Sequence, residues 1–425
     1  MFSFLKGRGI KTPWHLRVLY FSTFFLRVAF GALLLLIAKY VPCETDYEGL
    51  LNVAIIAVPY PLAEMLTANY FGILSDRTGR KPIIVFGTAL AASIVLLYTL
   101  SNNVWYLAAM HGIHGIGAAA TVAPAIAMIA DHAETCDRGR QMGWFDYATF
   151  LGYIIGAVAG GFLIDLVGAQ MGFLIMAGLL IVSASMLQLL VKKEEVRVKS
   201  ESLMAWHNLK KVFRIREVRL MFPIWLIIAT LLGLAITYLP RIMLSEDISG
   251  SMIGLMFGAA GVALGLFQPF WGKVSDIVGR IPVMAYGVFS ILGIIVIALL
   301  FSDSIYTRTD DEIQFNLMGL IPLGILGIGV GAFVPAALAL MADCSSDDCY
   351  GATMGLYSFA LGFGAFIAES TGLVIIVMSG DDTAPKWLLY FAAVLIFLAA
   401  AMIIAFFVSG AVRRRFGNRG SAGDD

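Results

Sequence analysis

The sequence is poor in charged residues. Asp, Glu, Lys and Arg make up 14% of the 425 residues, whereas hydrophobic residues make up 60%. Soluble domains carry roughly 25% charged residues, and their cores have no room for so much apolar surface. The composition therefore excludes an ordinary soluble domain and indicates a protein whose main solvent is lipid.

Cysteines and catalytic motifs are scarce as well. The four cysteines, Cys43, Cys136, Cys344 and Cys349, are too few and too scattered for a disulfide framework. The sequence has no Walker-type Gly-x-x-x-x-Gly-Lys-Ser/Thr loop, no metal-ligand cluster and no nucleophile motif. We therefore expect no cofactor, no direct use of ATP by this chain and no enzymatic activity.

Long apolar runs fill most of the chain. Crossing the hydrocarbon layer takes roughly 20 helical residues. Because backbone groups in lipid must be satisfied within the segment, and because the runs lack the alternation of a membrane barrel, we expect helices. Twelve runs, numbered here as spans 1 to 12, meet the length: about 16–41, 48–74, 82–100, 104–130, 143–167, 170–191, 220–244, 250–275, 281–301, 315–342, 352–378 and 387–409.

The basic residues are distributed unevenly between the two sides of the predicted spans. If the N-terminus is inside, the outside keeps only Lys39, Arg241, Arg308 and Lys386. The positive-inside rule then places both termini in the cytoplasm. The first run is too long for a signal-peptide core, so we expect it to remain in a multi-pass protein of the cell membrane. The inner side collects Lys6, Arg8, Lys11, Arg17, Arg77, Arg80, Lys81, Arg138, Arg140, Lys273, Arg280 and the basic residues of 192–219 and 413–419.

The longest polar stretch, 192–219, divides the spans six and six. It mixes Lys, Arg and Glu with apolar residues at helical spacing, which predicts an amphipathic linker on the inner membrane surface. The expected domains are an N-terminal bundle over 1–191, this linker, and a C-terminal bundle with a short basic tail over 220–425.

An internal repeat supports this division. The motif Gly72-Ile-Leu-Ser-Asp76-Arg-Thr-Gly79-Arg80-Lys-Pro82 recurs as Gly272-Lys-Val-Ser-Asp276-Ile-Val-Gly279-Arg280-Ile-Pro282, each time after the second span of a half. Later segments of the two halves match as well, including Gly115-Ile-Gly117 with Gly327-Ile-Gly329. The halves are therefore predicted to be duplicated.

The repeated loop resembles the signature of the major facilitator superfamily. The resemblance implies an all-α polytopic fold of twelve transmembrane helices in two pseudo-symmetric six-helix bundles, which move a small-molecule substrate by alternating access. Direct reasoning on residue types agrees with it: Gly72 permits close helix approach, Gly79 permits the turn, and Pro82 stands where a missing N–H costs nothing.

The resemblance also implies a cytoplasmic gate. Asp76 is expected at the N-terminus of span 11, Arg80 beside Asp131, Asp276 near the start of span 5 and Arg280 beside Asp343. Residues assigned to this gate are Gly72, Asp76, Arg77, Gly79, Arg80, Asp131, Arg138, Asp146, Gly272, Asp276, Gly279, Arg280 and Asp343. Asp146 has a second interpretation, as a partner of its helix dipole.

Span 5 carries a ladder of glycines, Gly152, Gly156, Gly160 and Gly161. The ladder resembles the signature of the twelve-helix drug/proton antiporter branch, except that Ala157 stands where that branch has proline. Two interpretations follow from it: close helix packing alone, or an exporter.

Ionisable residues inside spans are costly in lipid and usually functional. The candidates for substrate binding or proton coupling are Arg27, Glu64, His111, His114 and Glu369. Arg27 and Glu64 lie at similar depth, so an ion pair is expected, with either a functional or a structural role. His111 and His114 stand where exporters of the family carry arginine and glutamine. An imidazole exchanges protons near neutral pH, so these histidines either couple protons, bind substrate or serve as satisfied polar core residues.

The leading hypothesis is proton-coupled export of a lipophilic or amphipathic compound. The alternative is proton-linked or facilitated import of a small metabolite, anionic in view of Arg27 and the histidines. A more remote alternative is an integral membrane enzyme that uses His111 and His114. We expect a monomer in the lipid bilayer that exchanges protons and binds no nucleic acid.

Overall fold

The computed structural model describes residues 12–132, 138–191, 216–300, 306–308, 313–315, 317–343 and 350–417. Cys136, Cys344, Cys349 and most of the predicted linker, 192–215, lie outside these residues. The predicted linker ends within a helix, because span 7 already begins at Arg216.

The N-terminal half contains spans 1 to 6. Thr45 and Asn103 begin two of its helices through side-chain capping: Thr45 Oγ1 accepts the Glu48 N–H at 3.1 Å, and Asn103 Oδ1 accepts the Trp105 N–H at 3.0 Å. The helices are Trp14–Tyr40 (span 1), Asp46–Ala57 and Pro59–Thr78 (span 2), Arg80–Leu97 with the 3₁₀ turn Tyr98–Leu100 (span 3), Val104–His132 (span 4) and Arg138–Leu190 (spans 5 and 6).

The C-terminal half contains spans 7 to 12. Spans 8 and 10 are each divided into two helices, and Pro269 stands in the first turn of the second helix of span 8, where its missing N–H has no helical partner to lose. The helices are Arg216–Ser245 (span 7), Gly250–Leu266 and Gln268–Val278 (span 8), Arg280–Leu300 (span 9), Leu317–Val330 and Phe333–Asp343 (span 10), Tyr350–Ser379 (span 11) and Ala384–Gly417 (span 12).

Twelve crossings account for these helices. Within the described residues, 11 stretches are long and apolar enough to cross a membrane. One of them, Tyr147–Leu190, has 44 residues and contains the non-helical Gly168, whose φ of 77° separates spans 5 and 6. A positive φ favours glycine, so this residue allows the chain to turn back. The all-α polytopic fold predicted from the sequence is confirmed.

Within the described ranges, the structure adds a small antiparallel pair of strands between spans 9 and 10. Tyr306–Arg308 pairs with Ile313–Phe315, in the register Tyr306 to Phe315. It lies on the side of the membrane opposite Trp14. We call that side the distal face, and the side that carries Trp14 and the end of span 12 the terminal face.

Apolar packing holds each half and joins the two. Spans 7, 9, 10, 11 and 12 share a core around Trp225 and Phe333, whose rings meet edge to face at 5.2 Å. A separate cluster crosses between the halves: Leu50 and Ala54 of span 2 pack with Leu234, Tyr238 and Ala368 of spans 7 and 11. The two bundles are therefore in contact where span 2 meets spans 7 and 11.

Candidate transport pathway and its gates

A tyrosine and two histidines form a polar cluster inside the N-terminal half. The hydroxyl of Tyr98, at the end of span 3, lies 2.7 Å from Nδ1 of His111 and 3.2 Å from Nδ1 of His114. Tyr98 and His114 are buried, and the spacing of three residues places both histidines on one face of span 4. The cluster can hold a proton among three hydrogen-bonding groups.

Aromatic rings extend this cluster toward the middle of span 1. The Tyr60 ring lies 4.9 Å from the His111 ring and 5.5 Å from the His114 ring. Phe30 lies 5.4 Å from Tyr60 and 5.8 Å from Tyr153 of span 5. Spans 1, 2, 4 and 5 thus bring together an aromatic wall, defined here as Phe30, Tyr60, Tyr153, His111 and His114.

Glycine makes the close approach of spans 2 and 4 possible. A Cβ at Gly112 would lie 3.1 Å from Cβ of Pro59, and a Cβ at Gly115 would overlap the carbonyl oxygen of Tyr60. Any larger residue at Gly115 would push the helices apart and separate Tyr60 from the histidines. The Gly115-Ile-Gly117 motif therefore helps position the aromatic wall.

The expected ion pair between Arg27 and Glu64 is not formed. Arg27 Nη1 instead donates to the hydroxyl of Tyr153 at 2.9 Å, and its guanidinium lies 5.3 Å from the centre of that ring. Similar depth in the membrane did not determine the direction of the side chain, which turns toward span 5. Arg27 Nε is buried with no hydrogen-bond partner within the described part of the chain.

In the C-terminal half, Glu369 of span 11 is an ionisable residue inside the bundle. Its Oε1 accepts a 3.3 Å hydrogen bond from Thr237, while the Tyr238 hydroxyl donates to its backbone carbonyl at 2.8 Å. Among the described residues, Oε2 of Glu369 and the neighbouring Ser370 hydroxyl are buried without partners. A buried polar atom without a partner costs roughly 1–3 kcal/mol, so this carboxyl group is poised to accept a proton or a donor.

The distal face is closed by an acid that caps a helix of the other half. Asp165, near the end of span 5, accepts the backbone N–H groups of Gly250 at 3.0 Å and Ser251 at 2.7 Å. These N–H groups begin span 8, where the helix dipole favours a carboxylate. Asp165 therefore links the two halves across the distal face.

The glycines of span 5 lie on two contact surfaces. Gly152, Gly156 and Gly160 face span 1: a Cβ at Gly160 would lie 2.7 Å from Cα of Ala32. Gly161 faces span 8, where its own Cβ would lie 3.0 Å from Cα of Gly254. One glycine surface packs within the N-terminal half, and the other packs the two halves together.

Arg241 of span 7 is buried at the same distal interface. Its relative exposure is 7%, its Nη2 lies 3.0 Å from Sγ of Cys43, and its guanidinium covers the position of a Cβ at Gly49. Nearby, the Tyr47 backbone N–H donates to Asp382 at 3.0 Å. The sequence analysis placed Arg241 near the outer end of span 7, and it lies inside the last turns of the helix Arg216–Ser245.

The repeated loops on the terminal face have the same local structure in both halves. Gly79 has φ 97° and Gly279 has φ 105°, as expected for glycines that permit a turn. Ser75 donates to the Gly72 carbonyl at 2.7 Å and accepts from Arg80 at 2.7 Å. The second copy repeats both hydrogen bonds, from Ser275 to Gly272 at 2.7 Å and from Arg280 to Ser275 at 2.8 Å.

Among the described side chains, the two arginines of these loops have different acidic partners. Arg80 donates to Asp131 of span 4 at 3.0 Å, which is the pair that the resemblance implies. Arg280 pairs with Asp276 in its own turn, and the carboxylate of Asp276 is largely exposed. The side chains of Asp76, Arg138, Asp146 and Asp343 lie outside what the structure describes, as does any contact of Asp76 with the first residues of span 11.

Gly72 and Gly272 make no close helix contact with the residues that the structure describes. A Cβ at either position would meet nothing within 4 Å among the described residues. The second helix of span 8, which includes Gly272, packs on spans 9 and 10 of its own half. The close helix approach expected at Gly72 therefore stays a prediction, since no neighbouring helix among the described residues contacts this glycine in this conformation.

Sequence reasoning missed several of these residues. Tyr98 lies at the end of a span, where aromatic residues are common, so its type carried no signal. Asp165 stands inside predicted span 5 and was detectable as an ionisable residue in an apolar run. Its partners, two backbone N–H groups of the other half, had no signature in the sequence.

Comparison with known proteins agrees with this architecture. The family model of the Major Facilitator Superfamily matches residues 18–247 and 233–423. An MFS-type transporter of Methanocaldococcus jannaschii is 26% identical over 358 residues, covering 82% of this chain and 88% of that protein. Multidrug resistance protein MdtG of Proteus mirabilis is 25% identical over 292 residues, covering 66% of this chain and 72% of that protein.

Solved structures share the fold at low sequence identity. A POT family transporter in complex with 5-aminolevulinic acid superposes with a TM-score of 0.72 at 14% identity, covering 95% of this chain and 97% of that one. A bacterial homologue of the lysosomal transporter Spinster, solved inward-facing and unoccupied, gives 0.68 at 14% identity, covering 93% and 98%. With two family-model matches that together span nearly the whole sequence, the chain belongs to the major facilitator superfamily and is a secondary transporter rather than an enzyme.

Proposed function

We propose that this transporter exports lipophilic or amphipathic compounds in exchange for protons. The observation that carries the proposal is the contact of two histidines with one tyrosine hydroxyl, at 2.7 and 3.2 Å, beside the aromatic wall. Imidazole is the side chain that exchanges protons near neutral pH. Because the same rings line the cluster, proton binding and substrate binding would influence each other directly.

The aromatic wall supports the substrate class. Rings present flat apolar surfaces with few directional hydrogen bonds, which suits compounds that vary in shape. The relatives named multidrug resistance protein MdtG point the same way. In the other half, three phenylalanine rings stack along span 11. The ring centres of Phe359 and Phe363 are 5.5 Å apart, and those of Phe363 and Phe366 are 6.4 Å apart. These rings add apolar surface on the helix that carries Glu369.

A second candidate function is import of a small anionic metabolite. Arg27 favours it, because its guanidinium is half-buried, forms no ion pair with Glu64 and retains an unpartnered Nε among the described residues. The sequence also has Ala157 where the exporter branch has proline, and this difference favours a function other than export. The two histidines would then help to bind the anion.

The orientation, the gate and the domain limits belong to the same proposal. The terminal face would be cytoplasmic in a cell membrane, as the positive-inside rule requires. Asp76, Arg77, Arg80, Asp131 and their repeat equivalents would close this face when the distal face opens. Domains would run over 1–191 and 220–425 around the linker, in a monomer. Accordingly, Asp76→Asn should slow alternation and leave substrate binding intact.

Transport by the purified chain in proteoliposomes tests the function. We expect a pH gradient to drive movement of ethidium, a fluorescent lipophilic cation, and tetraphenylphosphonium to compete with it. His111→Asn and His114→Asn should remove the dependence on the gradient, whereas His132→Asn, at the end of the same helix, serves as the matched control. Competition by amphipathic anions but not by lipophilic cations would replace export with the anion-import alternative.

A further inference from the structure

Tyr98 occupies a position that constrains both histidines at once. Its ring is 1% exposed, and its hydroxyl contacts Nδ1 of His111 and Nδ1 of His114 on the neighbouring helix. Span 3 ends in a 3₁₀ turn, Tyr98–Leu100, which directs this side chain toward span 4. No other hydrogen bond to either imidazole is present in the described part of the chain.

The chemistry of a phenol limits how these hydrogen bonds can form. A tyrosine hydroxyl has one hydrogen to donate, and its oxygen can accept. When both imidazoles are neutral, Tyr98 can donate to only one Nδ1, and it satisfies the other Nδ1 by accepting a hydrogen from it. The two histidines must therefore carry their protons on different ring nitrogens.

The two distances indicate which group donates in each hydrogen bond between Tyr98 and the histidines. An O–H donor generally forms the shorter hydrogen bond: to an oxygen acceptor, O–H bonds cluster near 2.7–2.8 Å and N–H bonds near 2.9–3.0 Å. The 2.7 Å contact then has Tyr98 donating to His111, and the 3.2 Å contact has His114 donating to Tyr98. His111 keeps its proton on Nε2, while Nε2 of His114 is left with a free lone pair.

We propose that Tyr98 is a positioning residue that holds His111 and His114 in opposite tautomers, one presenting a proton donor and the other a proton acceptor to the pathway. The proposal deepens the function proposed above and rests on it for its physiological meaning. The tautomer arrangement itself follows from the geometry and can be tested without a substrate.

The arrangement allows a proton to cross the pair without movement of either ring. A proton binds the free Nε2 of His114, whose Nδ1–H proton passes to the oxygen of Tyr98. The hydroxyl proton of Tyr98 passes to Nδ1 of His111, and the Nε2 proton of His111 leaves. One proton enters and one departs, and the tyrosine is neutral before and after. Both histidines end in the tautomer opposite to their starting one.

Charged and titratable groups of the neighbouring helices surround the pair. Tyr60 faces it from span 2, and Glu64 follows Tyr60 by one turn in the same helix. Phe30 of span 1 lies beside His114 and Tyr153, and the Tyr153 hydroxyl of span 5 accepts a hydrogen bond from Arg27. Arg27 disfavours a second positive charge nearby, while Glu64 favours one. Any pH dependence of the pair will therefore include these groups.

Solid-state NMR of the ¹⁵N-histidine-labelled chain in lipid bilayers tests the proposal directly. The chain has five histidines, and His111→Asn and His114→Asn spectra assign the two signals. In the wild type at neutral pH we expect His111 protonated on Nε2 and His114 on Nδ1. In Tyr98→Phe, His114 should change to the Nε2–H form, because its Nδ1 partner is lost. Identical tautomers in the wild type, or an unchanged Tyr98→Phe spectrum, would overturn the proposal.

A matched control and a functional measurement complete the test. Tyr20→Phe also removes a buried hydroxyl, which donates to Gln141 at 2.8 Å, and should leave both histidine signals unchanged. Gradient-driven ethidium transport should fall at least about a hundredfold in Tyr98→Phe, the lower end of the effect expected for loss of a proton-transfer group. Opposite tautomers without gradient-driven transport would reject the proposed function and leave this inference standing, whereas full transport by Tyr98→Phe would reject the inference.

Discussion

The two faces of this transporter use charged groups differently. On the distal face, Asp165 caps a helix of the opposite half and Arg241 is buried between the halves. On the terminal face, Arg80 and Arg280 form their pairs inside their own halves. Within the described residues, the pairs formed by Arg80 and Arg280 stabilise their own halves, whereas Asp165, Arg241 and Gly161 join the two halves.

The difference follows from what each face must do. A contact between halves has to break once in every cycle, so it is made from a few hydrogen bonds and from glycine packing. A contact within a half is retained throughout the cycle. Four sets of variants test this contrast, beginning with the largest expected effect.

Gly161→Val should prevent the distal face from closing. A Cβ at Gly161 would overlap the carbonyl of Gly250 on span 8, and overpacking typically costs about 1–3 kcal/mol. We expect ethidium transport to fall at least about tenfold. The distance between spin labels at Asn102 and Lys386, measured by pulsed electron paramagnetic resonance, should increase. Gly178→Val, where a Cβ would meet nothing within 4 Å, is the control; an equal loss in both variants would contradict the expectation.

Asp165→Asn should weaken closure of the distal face without blocking it. The substitution removes a negative charge from the N-terminus of span 8, an effect of about 1 kcal/mol, or roughly a fivefold shift toward the open distal face. The same pair of spin labels reports the shift. Asp381→Asn alters a carboxylate that caps Thr383 in its own loop and should leave the distance unchanged. No difference between the two variants would remove Asp165 from the closure.

Arg80→Gln should lower the thermal stability of the N-terminal half slightly. Its pair with Asp131 is partly exposed, and such pairs contribute less than about 1 kcal/mol. Differential scanning fluorimetry in detergent measures the change. Arg280→Gln is the matched variant in the repeat. Its described pair with Asp276 joins two residues of one turn, so loss of that pair should lower the midpoint less than loss of the Arg80–Asp131 pair. A larger decrease in midpoint for Arg280→Gln than for Arg80→Gln would contradict the view that the Arg80–Asp131 pair stabilises the contact between its two helices.

Gly72→Ala and Gly272→Ala should have the smallest effect. Both sites have room for a methyl group, and alanine favours helix by about 0.5–1 kcal/mol over glycine. We expect unchanged or slightly raised stability together with slower transport, because the added methyl would hinder closure of the terminal face. Transport at the wild-type rate would show that these glycines never enter a close contact.

The sequence predicted the parts of the fold that depend on local chain properties. Span positions follow from run length, and the two turns at Gly79 and Gly279 follow from the need for a positive φ. Contacts that depend on the rotation of one helix against another were not predictable in this way. Arg27 was expected beside Glu64 because depth alone was known, and it contacts Tyr153 instead.

The residues of the candidate site also fall into those that local sequence predicts and those that depend on how the helices are arranged. His111 and His114 were found as ionisable residues in an apolar run, a signal that any single span can carry. Tyr98 was missed, since its role arises only when the end of span 3 meets span 4. Asp165 and Arg241 were missed as interface residues because one conformation of the two halves creates their surroundings.

Burial of Arg241 costs hydration free energy in every transport cycle. A guanidinium gives up water when the distal face closes and regains it when that face opens, so hydration always favours opening. Closure at this face therefore has to be held by other contacts. A variant that loses these contacts will favour the conformation in which the distal face is open and the Arg241 guanidinium is hydrated.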